Sequence, residues 1–235
     1  MRAALMFSNA TRFRRTAAGI CSIIAPLLML AADALGSRGQ ASQSGFLDAI
    51  AMRPGANEAG IVVAVYGFLL TVPVVIGIMH LLRHRAVALS HVGGSLMILG
   101  LVSFAFVAGT EYINVAASSP AANRDEMLAL NERVGGSIGY NIVNSTEIVG
   151  YFLGLIVLAL ALYRARTVNR VFPVLLIAGA VVRLVGAAQL LTVIVGDALI
   201  LAAFVAVGVA ILRQSDLEWE RPPANRSAGA AATTR

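Results

Sequence analysis

The sequence predicts an all-α polytopic transmembrane bundle of about six helices, with the N-terminus and the C-terminus both cytoplasmic. Three observations predict it. Of 235 residues, 58% are hydrophobic and only 13% charged, with a mean hydropathy of +0.81, whereas a soluble domain covers its surface with roughly a quarter charged residues. Six apolar stretches each approach the 20 or so residues needed to cross about 30 Å of hydrocarbon. The arginines of the connections alternate in number from one side of this layout to the other.

The expected spans are 17–35, 59–82, 87–109, 140–163, 171–190 and 192–212. The last two are nearly continuous. A single fused helix is rejected because Gly196–Asp197 interrupts the apolar run where a turn is needed. Thirteen arginines lie on the side of the termini: Arg2, Arg12, Arg14 and Arg15 before the first span, Arg83 and Arg85 after the second, Arg164, Arg166 and Arg170 after the fourth, and Arg213, Arg221, Arg226 and Arg235 after the sixth. Only Arg38, Arg53, Arg124 and Arg133 lie on the other side, mixed with Asp48, Glu58, Asp125, Glu126 and Glu132. An excess of basic residues marks the cytoplasmic side, so the layout is that of a bacterial plasma (inner) membrane protein. Its organisation is a basic tail (1–16), a six-span domain (17–213) and a disordered cytoplasmic tail (214–235) rich in polar and small residues. The first run also carries a basic start and the small-residue triplet Ala32-Asp33-Ala34 of a cleavable signal. Its length, with Pro26 inside the apolar core, favours retention as a span.

The connections predict little structure. Residues 36–58 are rich in Gly, Ser and Gln and read as mostly irregular. Residues 123–134 read as a short helix capped by Asn123, with Met127, Leu130 and Val134 opposite Asp125, Glu126 and Glu132. It fits a packing lid at the outer interface. Trp219 is placed at the headgroup region. A weak internal echo links Tyr66-Gly67-Phe68, followed by Arg83-x-Arg85, with Gly150-Tyr151-Phe152, followed by Arg164-x-Arg166.

Charges inside the spans are the candidates for function. A guanidinium stays charged in a protein, and Arg183 sits in an otherwise apolar run. With 1.5 Å of rise per residue, Glu147 and Arg183 both fall roughly 10 Å below the outer face, with Asp197 and Asp33 somewhat shallower. Tyr66 joins them from the second span, and Glu111 marks the outer end of the third. Tyr140, Asn144, Glu147 and Tyr151 share one helical face; Gly179, Arg183, Gly186 and Gln189 share another, where small residues admit a neighbouring helix. The candidate binding cluster is therefore Asp33, Tyr66, Asn144, Glu147, Arg183 and Asp197. Arg183 is expected to pair with Glu147 or Asp197. Four acids (Asp33, Glu111, Glu147, Asp197) against one base leave carboxylates uncompensated.

Two function classes follow: a small-solute carrier whose outer acidic cavity binds a cation or proton, or a structural or accessory subunit whose charges hold helices together. Other chemistry finds less support. The arginines do not cluster with interleaved aromatics as a nucleic-acid surface would; the partner implied is the lipid bilayer. Cys21 is the only cysteine, which excludes an internal disulfide and a Cys-x-x-Cys metal site. No catalytic residues are assigned, since the histidines and carboxylates fall at opposite faces. His80 and His91 flank one turn and form the alternative, a haem b pair. Asn144-Ser145-Thr146 matches a glycosylation sequon but lies inside a span.

The layout resembles one known group. Residues 77–94, ending a span in Leu-Leu-Arg-His-Arg and restarting in Leu-Ser-His-Val-Gly-Gly, together with residues 151–179, are similar to small multi-pass bacterial membrane proteins of uncharacterised function. The resemblance implies a multi-span fold and supplies no site residues.

Overall fold

The computed structural model describes residues 10–37 and 42–220. Among these residues there are nine helices and no strands: α1 (Ala10–Leu35), α2 (Gln43–Met52), α3 (Pro54–Leu82), α4 (Val87–Ala117), α5 (Arg124–Gly135), α6 (Ile138–Ala165), α7 (Val171–Val185), α8 (Leu190–Leu212) and α9 (Asp216–Glu220). Five of them (α1, α3, α4, α6 and α8) are long and apolar enough to cross a membrane. In hydrocarbon the backbone must satisfy its own polar groups, and a helix does so within one segment. Large apolar side chains such as Leu69, Val92, Phe106 and Val181 face outward from the bundle, as a lipid-facing surface requires.

The fifth expected span is shorter than its apolar run. α7 has 15 residues, about 22 Å of helix. The chain then turns through residues 186–189, and α8 begins at Leu190. Thr192 compensates the turn: the single proton of its hydroxyl is shared between the carbonyls of Gly186 and Gln189. The break expected at Gly196–Asp197 is therefore misplaced by about two helical turns. Both residues lie inside α8, where Gly196 serves packing instead.

The long helices and α7 form a closed ring. Each packs on its neighbour in the order α1, α3, α4, α6, α7, α8, and α8 returns to α1. Glycines set the closest approaches. A Cβ on Gly154 of α6 would lie 2.8 Å from the Gly93 carbonyl oxygen of α4, and one on Gly150 2.8 Å from that of Leu96. Helices in lipid gain their association from such close backbone packing. Gly179 of α7 and Gly196 of α8 face each other in the same way. Within the ring, Ile78, Leu82, Met97, Leu155, Leu158, Leu162, Leu176 and Ile211 are fully buried.

One end of the ring, where α1 begins and α8 ends, is basic. Arg15 forms an ion pair with Asp216 at 3.1 Å and donates to the Leu212 and Gln214 carbonyls. Arg85 donates to the Ala165 carbonyl at 3.0 Å, and Arg83 to the Trp219 carbonyl at 2.6 Å. These arginines cap helix ends, satisfying last-turn carbonyls that otherwise lack partners. The disorder expected from 214 onward does not hold for α9. Ser215 caps it, accepting from the Glu218 amide while the Glu218 carboxylate accepts from the Ser215 amide at 2.7 Å. Donation from the Ser215 amide and from the Ser215 hydroxyl, at 2.9 Å, holds the Glu218 carboxyl below its usual range. Trp219 is 3% exposed rather than at a headgroup surface, and its ring lies 4.3 Å from that of His80. Residues 1–9 and 221–235, the remainder of the two expected tails, lie outside the described residues; Ala10–Thr16 already belong to α1.

At the opposite end, the connections are more structured than their composition predicts. Residues 43–52 form α2, capped by Ser42 accepting from the Gly45 amide, and Pro54 starts α3 at a position where its missing N–H costs nothing. Leu47 and Ile50 of α2 bury against Ala117 of α4, with Met127 and Leu128 of α5 packed on the same cluster. Arg124 ties α5 to α2 through the Asp48 carboxylate at 2.7 Å and the Ser44 carbonyl at 2.7 Å. The helix expected at 123–134 is α5, with Asn123 at its N-cap.

The glycine contacts yield a paired prediction. Gly154→Leu forces α4 and α6 apart and destabilises the purified protein by about 1–3 kcal/mol or more. Gly109→Leu, on α4 where a Cβ meets nothing within 4 Å, leaves stability unchanged or raises it by up to about 1 kcal/mol through helix propensity. Thermal unfolding in detergent separates the two.

Candidate functional site

Three helices converge on one charge cluster near the end opposite the basic one. α1 brings Asp33 in its last turns, α7 brings Arg183 in its final turn, and α8 brings Asp197 two turns after its start. The Gly179–Gly196 approach sets α7 close enough to α8 for the arginine to reach. Arg183 Nη2 donates to Asp33 Oδ2 at 2.6 Å, and Arg183 Nε lies 2.7 Å from Asp197 Oδ1. The side chains are 16%, 7% and 4% exposed, respectively for Arg183, Asp33 and Asp197. The Nε–H does not point along the Asp197 contact, and Asp197 Oδ2 is buried with no hydrogen-bond partner among the described residues. The guanidinium also sits over the Phe152 ring at 5.8 Å, a favourable position for a cation on an aromatic face.

Of the two expected partners Arg183 meets Asp197, and its second carboxylate is Asp33. Glu147 is left out. The cause is the early end of α7: Arg183 sits in its final turn, beside the start of α8, and extends past α8 towards α1.

Above the cluster the ring encloses a cavity of about 590 Å³, open on one side. Asp33, Glu111, Glu147 and Arg183 line it together with the polar side chains of Ser37, Ser42, Gln43 and Asn57. Asn57 accepts from the Ser37 amide at 2.7 Å and donates to the Arg53 carbonyl at 2.8 Å, pinning the end of α1 to the start of α3. Phe68 and Phe104 stack at 3.6 Å between centroids, nearly parallel, and Tyr151 lies 5.5 Å from Phe68. Of these rings, Phe68 and Phe104 line the cavity as an aromatic floor. Phe46 and Ile50 of α2 cover the cavity from the connection side. Its volume falls in the range of small-molecule sites, about 300–1,000 Å³.

The cluster expected from the sequence divides three ways. Asp33, Glu147 and Arg183 line the cavity, and Asp197 lies beneath it on a second, much smaller cavity. Glu147 is half-buried, and no hydrogen bond or ion pair holds its carboxylate among the described residues. Tyr66 does not join them: it is 58% exposed on the outside of α3. Phe68 takes that place, because residues two apart on a helix differ by roughly 200° in direction. Asn144 is half-buried on the expected face of α6 but does not line the cavity. Gln189 is exposed at the N-cap of α8, since α7 ends before reaching it. The residues that sequence reasoning passed over are Phe68, Phe104 and Asn57. Phe68 was within reach, as part of the Tyr66-Gly67-Phe68 triplet.

His80 and His91 have separate partners. His80 Nε2 meets the Trp219 carbonyl at 2.8 Å, and His91 Nδ1 meets the Val87 carbonyl of its own helix at 2.8 Å. No group of three or more His, Cys, Asp or Glu able to hold a metal occurs among the described residues. Comparison of the chain with protein-family models, curated proteins and solved structures finds no significant match.

Breaking the Arg183 cluster has a defined signature. Arg183→Met leaves two buried carboxylates facing each other and destabilises the bundle by about 3–5 kcal/mol. The triple change Arg183→Met, Asp33→Asn, Asp197→Asn recovers most of that loss, measured by thermal unfolding in detergent.

Proposed function

We propose that the protein is a multi-pass carrier of the bacterial inner membrane whose outward-facing cavity binds a small cationic solute with an apolar part. The observation that carries this is the charge balance of the cavity. Among the described residues, Asp33, Glu111 and Glu147 put three carboxylates on the lining beside the one guanidinium of Arg183. A cation entering there meets carboxylates on one side and the stacked faces of Phe68 and Phe104 on the other, the two elements that attract an organic cation.

The orientation is part of the proposal. α7 with its following turn serves as the fifth of six spans, carried across the remaining thickness by residues 186–189. The contact of Arg15 with Asp216 supports both ends of the chain lying on one face, and the arginine excess of that face supports its being cytoplasmic. The cavity then opens to the outside. A reporter test checks this: green fluorescent protein fused after Arg235 fluoresces, whereas alkaline phosphatase at the same position stays inactive.

A second reading has its own support. Arg183 held by two carboxylates from two other helices is what a structural lock looks like, and an accessory subunit needs nothing more. The two readings part at Glu147, which takes no share in the lock. With tetraphenylphosphonium as probe, calorimetry on the purified protein shows saturable binding, and Glu147→Gln weakens it roughly tenfold, about 1.4 kcal/mol, with unfolding unchanged. Tetraphenylborate, the matched anion, does not bind. Equal binding of both ions, or no effect of Glu147→Gln and Glu111→Gln together, leaves the accessory reading standing.

A further inference from the structure

The arginines of the basic end divide into two sets. Arg15, Arg83 and Arg85 are spent on carbonyls and on Asp216. Arg164, Arg166 and Arg170, in the connection from α6 to α7, are exposed, and among the described residues their side chains meet neither a carboxylate nor a carbonyl. Arg170 touches the Tyr163 ring, 5.2 Å from its centroid. The carboxylates of that end are engaged elsewhere: Asp216 with Arg15, Glu220 with the Thr11 hydroxyl at 2.7 Å, and Glu218 with Ser215.

Two contacts gather these charges around the last turn of α6. Arg170 lies on Tyr163, which brings the start of α7 back against the residue next to Arg164. Arg85, from the turn between α3 and α4, reaches the Ala165 carbonyl at 3.0 Å. Arg166 closes α6 in the left-handed region, at φ 52°, the one non-glycine residue with a positive φ among the described residues. Glycine takes that conformation without strain, so an arginine there points to a use for its side chain. Guanidiniums crowded at one helix end without an acid repel one another, and a bound anion relieves that repulsion.

The surface that leads away from them is apolar. Leu160 and Tyr163 of α6, and Val171 and Val174 of α7, are exposed on two helices that pack side by side. Cations at the end of such a seam, with aliphatic side chains along it, match a headgroup and its acyl chains. A soluble anion has no use for the second part.

We propose that the connection between α6 and α7 binds an anionic phospholipid. Arg166 and Arg170 donate to its phosphate oxygens with Arg164 beside them, and its chains lie along the exposed faces of α6 and α7. Guanidinium forks suit phosphate oxygens, and basic pockets between membrane helices take up such headgroups. The site stands apart from the outer cavity, at the opposite end of the ring, and neither Glu147 nor the Arg183 cluster enters it.

Native mass spectrometry of the full-length chain released from detergent tests it, with phosphatidylglycerol or phosphatidylcholine of matched chains added. The protein holds phosphatidylglycerol roughly tenfold more tightly than phosphatidylcholine. Arg164→Gln, Arg166→Gln and Arg170→Gln together remove that preference, whereas Arg213→Gln, at an exposed arginine following α8, leaves it. Should the triple variant not fold, Arg166→Gln and Arg170→Gln carry the test singly, each weakening retention about fivefold. Equal retention of both lipids, or a preference that survives these changes, overturns the proposal. So does an equal loss in Arg213→Gln, which assigns binding to net charge alone. Glycerol 3-phosphate in excess, a phosphate ester without chains, does not displace the lipid; displacement assigns the connection to a soluble phosphate and overturns the lipid reading.

Discussion

A guanidinium that cannot lose its charge, placed in the final turn of a short helix, sets the terms for the rest of this structure. Arg183 is tolerated in a bundle of this hydropathy only because two carboxylates reach it, and those carboxylates come from the first and the last of the long helices. The lock therefore closes the ring. α1 and α8 are far apart in sequence, and the residues that bind them through α7 are those least able to remain alone in hydrocarbon. Glycine packing brings α7 onto α8, and the ion pairs fix the register that packing alone leaves loose.

Once the lock is made, the remaining charges stand out. Glu147 sits one helix away at a similar level and takes no part in it. Glu111 accepts from Asn114 at 3.4 Å and faces the same open volume. A bundle built only to be stable would replace both with aliphatic residues, as it does in the opposite half of the ring. There Leu155, Leu158 and Leu162 of α6 fill the interior with no polar atom. The asymmetry between a packed half and a hollow, acidic half is what separates a carrier-like reading from that of a plain membrane anchor.

The helical class and most helix boundaries were legible because hydropathy, length and arginine placement act locally along the chain. So was the placing of Arg183 and Asp197 at one level of the bundle, where they meet. The choice among carboxylates was not, because it depends on which helices are neighbours around the ring and on where α7 stops. That stop was obscured by an apolar run that continues through Ala187 and Ala188 without a break in hydropathy. Tyr66 and Phe68 show a second limit: both are aromatic and both lie at the right depth, and only the rotation of α3 decides which one faces inward. α2 and α9 were missed because Gly, Ser and polar composition hides short helices that are held by tertiary contacts rather than by propensity.

The contact between Arg183 and Asp33 spans 150 positions of sequence, which has a consequence for how the protein is made. Asp33 is made with the first helix, and Arg183 is synthesised only after three further long helices, α3, α4 and α6, have emerged. Through that interval the nascent chain carries Asp33 without Arg183, and the contacts that close the ring are not yet available. The ring becomes complete when α8 arrives, and α9 then fastens the finished end to α1 through Arg15 and Asp216. Closure of the ring and the pairing of Arg183 with both of its carboxylates thus coincide late in synthesis.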